Sequence, residues 1–305
     1  MTTQAPPGLP VGSATDTAAS ERGAASTGRV GGATARAGIT ASASIAADVD
    51  RGRPRIRWTH AWPIVLRPTG DARVHLVHGA GGPLGGDELR LDVQVGAAAT
   101  LAVRSAGATL VQPGRSGEPA RWDIGVAVDD DAVLDWAPEP TVVADGATFH
   151  TSLQLDLGTD ARAVVREVVV LGRHGRVGGR YQGRLGITVG GAALLAHTTL
   201  LDGADPALRG PGGSAGARAV GTLLLAGVCD TAEVVAVGPA AVGPAAVGPA
   251  AVGPISTGPA AAGEDQRVRW AWTELDGPGR MLLAVGEPGA VIAVLDAAAA
   301  RLSRA

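Results

Sequence analysis

The sequence predicts an all-β protein: a many-stranded, layered, solenoid-like scaffold with about two short helices. Three observations carry this. Apolar residues alternate with polar ones at period two in several stretches, the mark of half-buried strands. A strand–turn–strand unit recurs at nearly constant spacing. Helix signals are sparse.

The alternation runs through Leu89, Leu91, Val93 and Val95, through Leu153, Leu155 and Leu157, and through Leu185, Ile187 and Val189. Val168–Leu171 is a continuous apolar run and suits a strand buried on both faces. In the recurring unit an aliphatic residue ends a strand, a Gly/Asp-rich break follows, and a new strand opens on Ala. It stands at Val95–Ala97, Val128–Ala132, Leu157–Ala161, Val189–Ala192 and Val285–Ala290, the first four lying 33, 29 and 32 residues apart. Such spacing predicts stacked β layers, as a sandwich or a solenoid. Ala297–Leu302 reads as a short C-terminal helix with Asp296 as N-cap. A second short helix is placed near Gly216–Leu225, against its glycine content.

The chain has 305 residues, 46% of them apolar and only 3% aromatic, so the core is built from Val, Leu, Ala and Ile. Residues 1–48 are rich in Ala, Ser, Thr, Gly and Pro and are expected to form a disordered tail. Residues 49–305 are expected to form a single β-rich domain, with a flexible insertion at 234–263 built on a Val-Gly-Pro-Ala-Ala repeat. That stretch carries no charge, but proline at every fifth residue rules out a membrane helix. A partner-binding arm is the alternative reading of the repeat. The N-terminus has no basic region followed by an apolar one, so no secretory signal is read and a soluble, cytoplasmic protein is expected.

Net charge is -3, and all 26 basic residues are Arg. Nothing in this balance points to nucleic acid. The single cysteine, Cys229, excludes an internal disulfide or a Cys-based zinc cluster. Within LLLAGVCD it reads as a buried, inert thiol rather than a ligand. The six histidines form no HExxH, and there is no dinucleotide fingerprint. His75 and His78, three apart on a strand, face opposite ways.

Three segments hold acids in settings that invite a function. GGPLGGDELRLDV at Gly81–Val93 places Asp87 between a glycine turn and a strand. It lacks the Lys-Ser/Thr of a phosphate loop; as a turn, it uses Asp87 as a cap. WAPEPTVVADGATF at Trp136–Phe149 fences Glu139 between Pro138 and Pro140, which hold the backbone extended. An acid so held can serve as a ligand or an ion-pair partner. Asp145-Gly146 reads as a hairpin turn. VVREVVVLGRHG at Val164–Gly175 embeds Glu167 in an apolar strand, where a lone carboxylate needs a partner or a cation. Arg166 points to the opposite face, and Arg173 is a partner by type alone. A buried ion pair and a metal-path carboxylate are both open here.

Taken together, these segments resemble the UreD (UreH) family of urease accessory proteins. The family pattern is met in order by Gly81–Leu89, Pro138–Phe149, Glu167–Arg173, Leu200–Gly203 and Gly221–Gly227. Departures stand at Thr109-Leu110, where the family often has Thr-Lys, and at Gly178 and Gly179, where an acid is common. The resemblance implies a β-rich scaffold with no catalysis. It implies binding to apo-urease and to the helical accessory protein UreF and, through it, the GTPase UreG. It also implies transient passage of Ni²⁺, with no tightly bound cofactor, and makes Asp87, Glu139 and Glu167 the candidate nickel-path residues. The competing reading is a β-rich carbohydrate-active hydrolase using two of Asp87, Asp135, Glu139 and Glu167, or a glycan-binding β-sandwich.

Overall fold

A computed structural model describes residues 38–227, 262–265 and 267–302. Cys229, most of the pentapeptide insertion and residues 1–37 of the expected tail lie outside the described residues.

Two large sheets face each other, as the period-two pattern requires. The first has seven strands, in spatial order β14 (Ala192–Asp202), β13 (Arg180–Val189), β11 (Thr148–Leu157), β8 (Ala120–Val128), β5 (Glu88–Val95), β1 (Thr40–Asp50) and β2 (Arg53–His60). The second runs β16 (Ala262–Asp265), β17 (Val268–Glu274), β18 (Gly279–Gly286), β15 (Ala219–Gly227), β12 (Arg162–Leu171), β9 (Val133–Trp136), β6 (Thr100–Ser105), β4 (Arg73–His78) and β3 (Ile64–Gly70). Two short strands, β7 (Thr109–Val111) and β10 (Thr141–Val143), join the second sheet beside β12.

The recurring unit is the coil of a solenoid. β5, β8, β11 and β13 are parallel, and Val95, Val128, Leu157 and Val189 stack in register. At each of these corners the next amide donates one coil back: Asp129 to Val95, Gly158 to Val128 and Gly190 to Leu157, at 2.8–2.9 Å. The chain then crosses to the second sheet, where buried Ala99, Ala132 and Ala161 open the opposing strands. Small residues at these corners let successive coils stack closely. The fifth instance, Val285–Ala290, behaves differently: β18 ends at Gly286, and α2 (Pro288–Leu302) follows.

Two corrections concern helices. Ala219–Gly227 is strand β15, buried over most of its length, not a helix. Its apolar run fits a strand covered on both faces. The short helix lies earlier, at α1 (Pro206–Arg209), where the Asp205 side chain accepts from Ala207 N. Helix α2 begins nine residues before the expected Ala297, so Asp296 is inside it rather than capping it. Val291, Leu295 and Ala298 of α2 are fully buried and form a second core with Leu223, Leu225, Trp272 and Leu282.

A third correction concerns the tail. β1 starts at Thr40, inside the stretch expected to be disordered. Ala41, Ala43, Ile45 and Ala47 alternate into the main core. Three of these are alanines, so the strand is quiet on any hydrophobicity reading. Its stability comes from parallel pairing to β5, with Ala41 beside Leu89 and Ile45 beside Val93.

Candidate functional site

The second sheet has a break, and the site sits at it. β12 is continuous, pairing with β9 through Arg162–Val165 and with β10 through Val169–Leu171. Between β9 and β10 the chain leaves the ladder over Ala137–Pro140. Pro138 and Pro140 have no N–H to give a neighbouring strand. The parallel ladder is therefore interrupted beside Arg166, Glu167 and Val168. The preceding coil breaks similarly between β6 and β7.

Side-chain direction along β12 divides its charges. Ala163, Val165, Val169 and Leu171 point into the core between the sheets, so Glu167 points there too. Arg166 points the other way. Its guanidinium pairs with Asp296 of α2 and donates to Pro138 O at 3.0 Å. Glu167 forms no hydrogen bond or ion pair through its carboxylate with the described residues, and Arg173 is an exposed residue whose carbonyl accepts from Arg218. The buried ion pair envisaged for Glu167 is absent among them.

Glu167 lines a small cavity between the sheets, with about 60 Å³ open to the centres of water-sized molecules. That is room for a few waters, far below the ~300 Å³ at which pockets begin to hold organic ligands. The walls collect the chain's only Phe and only Tyr, Phe149 and Tyr181, with Trp122 and Trp136. The Nε1–H groups of Trp122 and Trp136 are buried without a partner among the described residues, and both indoles line this cavity. Glu139 is the exposed counterpart on the break itself. Its backbone N–H is held by Ser105 Oγ at 2.8 Å, which leaves its carboxylate free to face solvent. Arg104, also lining the cavity, is tied to Asp135 and donates to the Asp135 carbonyl at 2.9 Å.

Removal from bulk water dominates the electrostatics. Burial pushes the Glu167 carboxyl from its ordinary value up to about 7, although part of its surface meets the cavity. The carboxyl is thus poised to exchange its proton near neutrality. Burial also raises the Tyr181 hydroxyl, and the Glu167 charge raises it further. His78 packs edge-on against Trp122 at 4.7 Å, and burial lowers its pKa to about 4. Its Nε2 lies 3.1 Å from Thr109 Oγ1, so the neutral ring is fixed beside the cavity wall.

Asp87 is placed elsewhere. It is 3% exposed and does not line the cavity. Oδ1 accepts from Ile39 N at 2.8 Å and Oδ2 from Leu84 N at 2.9 Å. It therefore ties the start of β1 to the glycine turn. That turn is sterically specified: Gly82 has φ 131°, and a Cβ there would lie 2.0 Å from Leu110 O. Asp145 is also structural, accepting from Gly178 N at 2.6 Å and pairing with Arg176. It stands at a corner between the sheets, not in a hairpin.

Two of the three sequence-selected acids thus meet at one cavity. Sequence reading missed Tyr181, Trp122 and His78. A signal existed in the scarcity of aromatics, since a chain with one Phe and one Tyr brings both to one place. Among the described residues, no group of three or more His, Cys, Asp or Glu is arranged to hold a metal ion.

The family model described as UreD urease accessory protein matches residues 40–303. This chain belongs to that family. A urease accessory protein UreD from Frankia alni is 39% identical over 232 residues, covering 63% of this chain and 78% of the relative. One from a Parafrankia species is 38% identical, covering 67% and 77%. One from Streptomyces avermitilis is 38% identical, covering 62% and 78%. The UreD match begins at the first residue of β1, the strand that composition assigned to the tail.

Proposed function

We propose that this UreD-family chain is a non-enzymatic, cytoplasmic scaffold needed for nickel incorporation into apo-urease. It bridges urease to UreF and, through UreF, to UreG, and it conducts Ni²⁺ between them without holding it as a resident cofactor. Family membership supports the urease role. The observation that carries the conduit is Glu167, an unpaired carboxyl in a water-sized cavity behind a break in the sheet.

The chemistry is that of passage rather than storage. Glu139 at the outside of the break draws a hydrated cation toward it. Glu167 inside supplies one carboxylate, and a proton leaving it near neutrality gives the charge that a divalent ion needs. The indole N–H groups and the Tyr181 hydroxyl offer hydrogen bonds to the waters that stay on the ion. One or two carboxylates release an ion where a closed ligand cage would keep it. Asp87 serves this path at one remove, by fixing the turn that anchors β1.

The test is genetic and chemical. Deleting the gene from its ureolytic host is expected to abolish urease activity and the nickel content of purified urease. Complementation with Glu167→Ala is expected to restore a folded protein but not activation. Unchanged urease nickel in the deletion strain would overturn the delivery role. Normal activation by Glu167→Ala would overturn the conduit.

A further inference from the structure

The first hairpin presents a surface that the nickel path does not use. Among the described residues, β2 is the last strand of its sheet and pairs only with β1. Seven of its eight residues are exposed, Ile56 being the exception. Arg51 and Gly52 form the turn, with φ 51° and 76°, a two-residue loop of the kind that closes on a hydrogen-bonded pair, here Asp50 and Arg53. Counting on from Arg53, the backbone groups of Ile56, Trp58 and His60 face outward, away from β1. Pro54 faces outward too but has no N–H, so strand addition is blocked near the tip and open further along.

Two features set this edge apart. The first is aromatic. Of the six tryptophans, Trp122, Trp136 and Trp272 are buried and Trp270 is half-buried, whereas Trp58 is 43% and Trp62 61% exposed. Trp62 packs one part of its ring against Gly79, where a Cβ would stand 2.2 Å from the ring. A side chain with a packing contact loses less freedom on binding than one with none. The second is charge. Residues 48–78 hold six Arg against three Asp, in a chain of net charge -3. Arg55 and Arg57 pair with Asp50 and Asp48. Arg51 and Arg53 form no ion pair among the described residues and stand exposed at the tip. Arg51 holds a positive φ that arginine rarely adopts, a cost of roughly 1 kcal/mol or more.

We infer that the β1–β2 hairpin and the Trp62 turn are the docking surface for an acidic protein of the urease assembly. Trp58 and Trp62 are its anchors, and Arg51 and Arg53 engage its carboxylates. Trp and Arg together are what protein interfaces enrich. Charge complementarity selects an acidic partner, and the open backbone at Ile56–His60 accepts an extended acidic segment. This rests on the urease reading above.

The experiment measures binding of the purified full chain to purified apo-urease and to purified UreF, at low and high salt. Trp58→Ala with Trp62→Ala is expected to weaken the interaction at least ~30-fold. Arg51→Glu with Arg53→Glu is expected to slow association about tenfold and flatten its salt dependence. Both pairs are at exposed positions, and circular dichroism melts matching the parent chain confirm folding; Trp62→Phe is expected to retain most affinity. If the parent chain binds neither protein, the urease reading fails and this surface with it. If it binds and both double variants bind equally well, only the surface assignment fails. Tight binding of a short RNA duplex, lost in the arginine variant while urease binding is kept, would reassign the surface to nucleic acid.

Discussion

Asp87, which is buried, and Glu167, which is half-buried against the cavity, are both acids among apolar neighbours, and the fold treats them oppositely. Each Asp87 oxygen receives a backbone N–H, from Ile39 and from Leu84. The Glu167 carboxylate receives no hydrogen bond from the described residues, and burial moves it to about 7. A carboxylate with two backbone donors stabilises what it ties together. A carboxyl with none costs stability whenever it is charged. The contrast separates an acid the fold needs from one it tolerates for another reason.

The largest effect expected from this contrast is at Asp87. Asp87→Ala strands two backbone N–H groups, one at the start of β1 and one in the glycine turn. Each charge-assisted bond contributes about 1.5–3 kcal/mol, so a loss of roughly 3–6 kcal/mol for the two should appear as a lower urea midpoint. A midpoint shifted by less than a third of that would mean the N–H groups find other partners.

Glu167 should behave in the reverse sense. Its folded-state pKa lies above that of an unfolded glutamate, ~4.3. The folded chain therefore holds more protons between these values, and stability falls as pH rises from about 4.3 to 7. Glu167→Gln removes that penalty. It should stabilise the chain by on the order of 3–4 kcal/mol at pH 8 and leave it nearly unchanged at pH 4, while urease activation drops. A variant less stable than the parent at pH 8 would show that the charged carboxylate has a partner.

His78 opposes this slope. Its pKa is lowered to about 4, so the unfolded chain binds the extra proton, and stability is lost as pH falls from 6.5 toward 4. The two slopes nearly cancel in the parent chain between about pH 4.5 and 6.5. Glu167→Gln should expose the histidine's slope, so that stability then rises with pH across that window. Urea midpoints taken at half-unit pH intervals decide it.

The smallest effect is at Glu139, which is exposed and whose carboxylate is unpaired among the described residues. Glu139→Gln should change stability by less than ~0.5 kcal/mol and still slow nickel-dependent activation of urease. Activation at the parent rate would confine the path to the interior.

Much of the fold could be read along the chain because its signal is local. Period two in β5, β11 and β13, the apolar run in β12 and the corner spacing are all properties of short segments. β1 was missed because Ala41, Ala43 and Ala47 alternate without looking hydrophobic; a neighbouring strand makes them a core. β15 was taken for helix because its glycine-bearing, Ala- and Leu-rich run has no decisive period. At the site, Glu139 and Glu167 were legible as acids in improbable settings. Tyr181 and His78 were not, since strands far apart in sequence bring Tyr181 to the cavity and His78 against its wall residues Trp122 and Thr109.

Sequence alone determined the chain's family, its β layering, the length of each coil and the three acids worth watching, because pattern and motif are written residue by residue. Tertiary structure decided what those acids are. Partnering and desolvation depend on atoms from distant strands. Only the folded sheets could make Asp87 a tie between β1 and its neighbouring turn, set Glu139 outside a break, and leave Glu167 unpaired behind it.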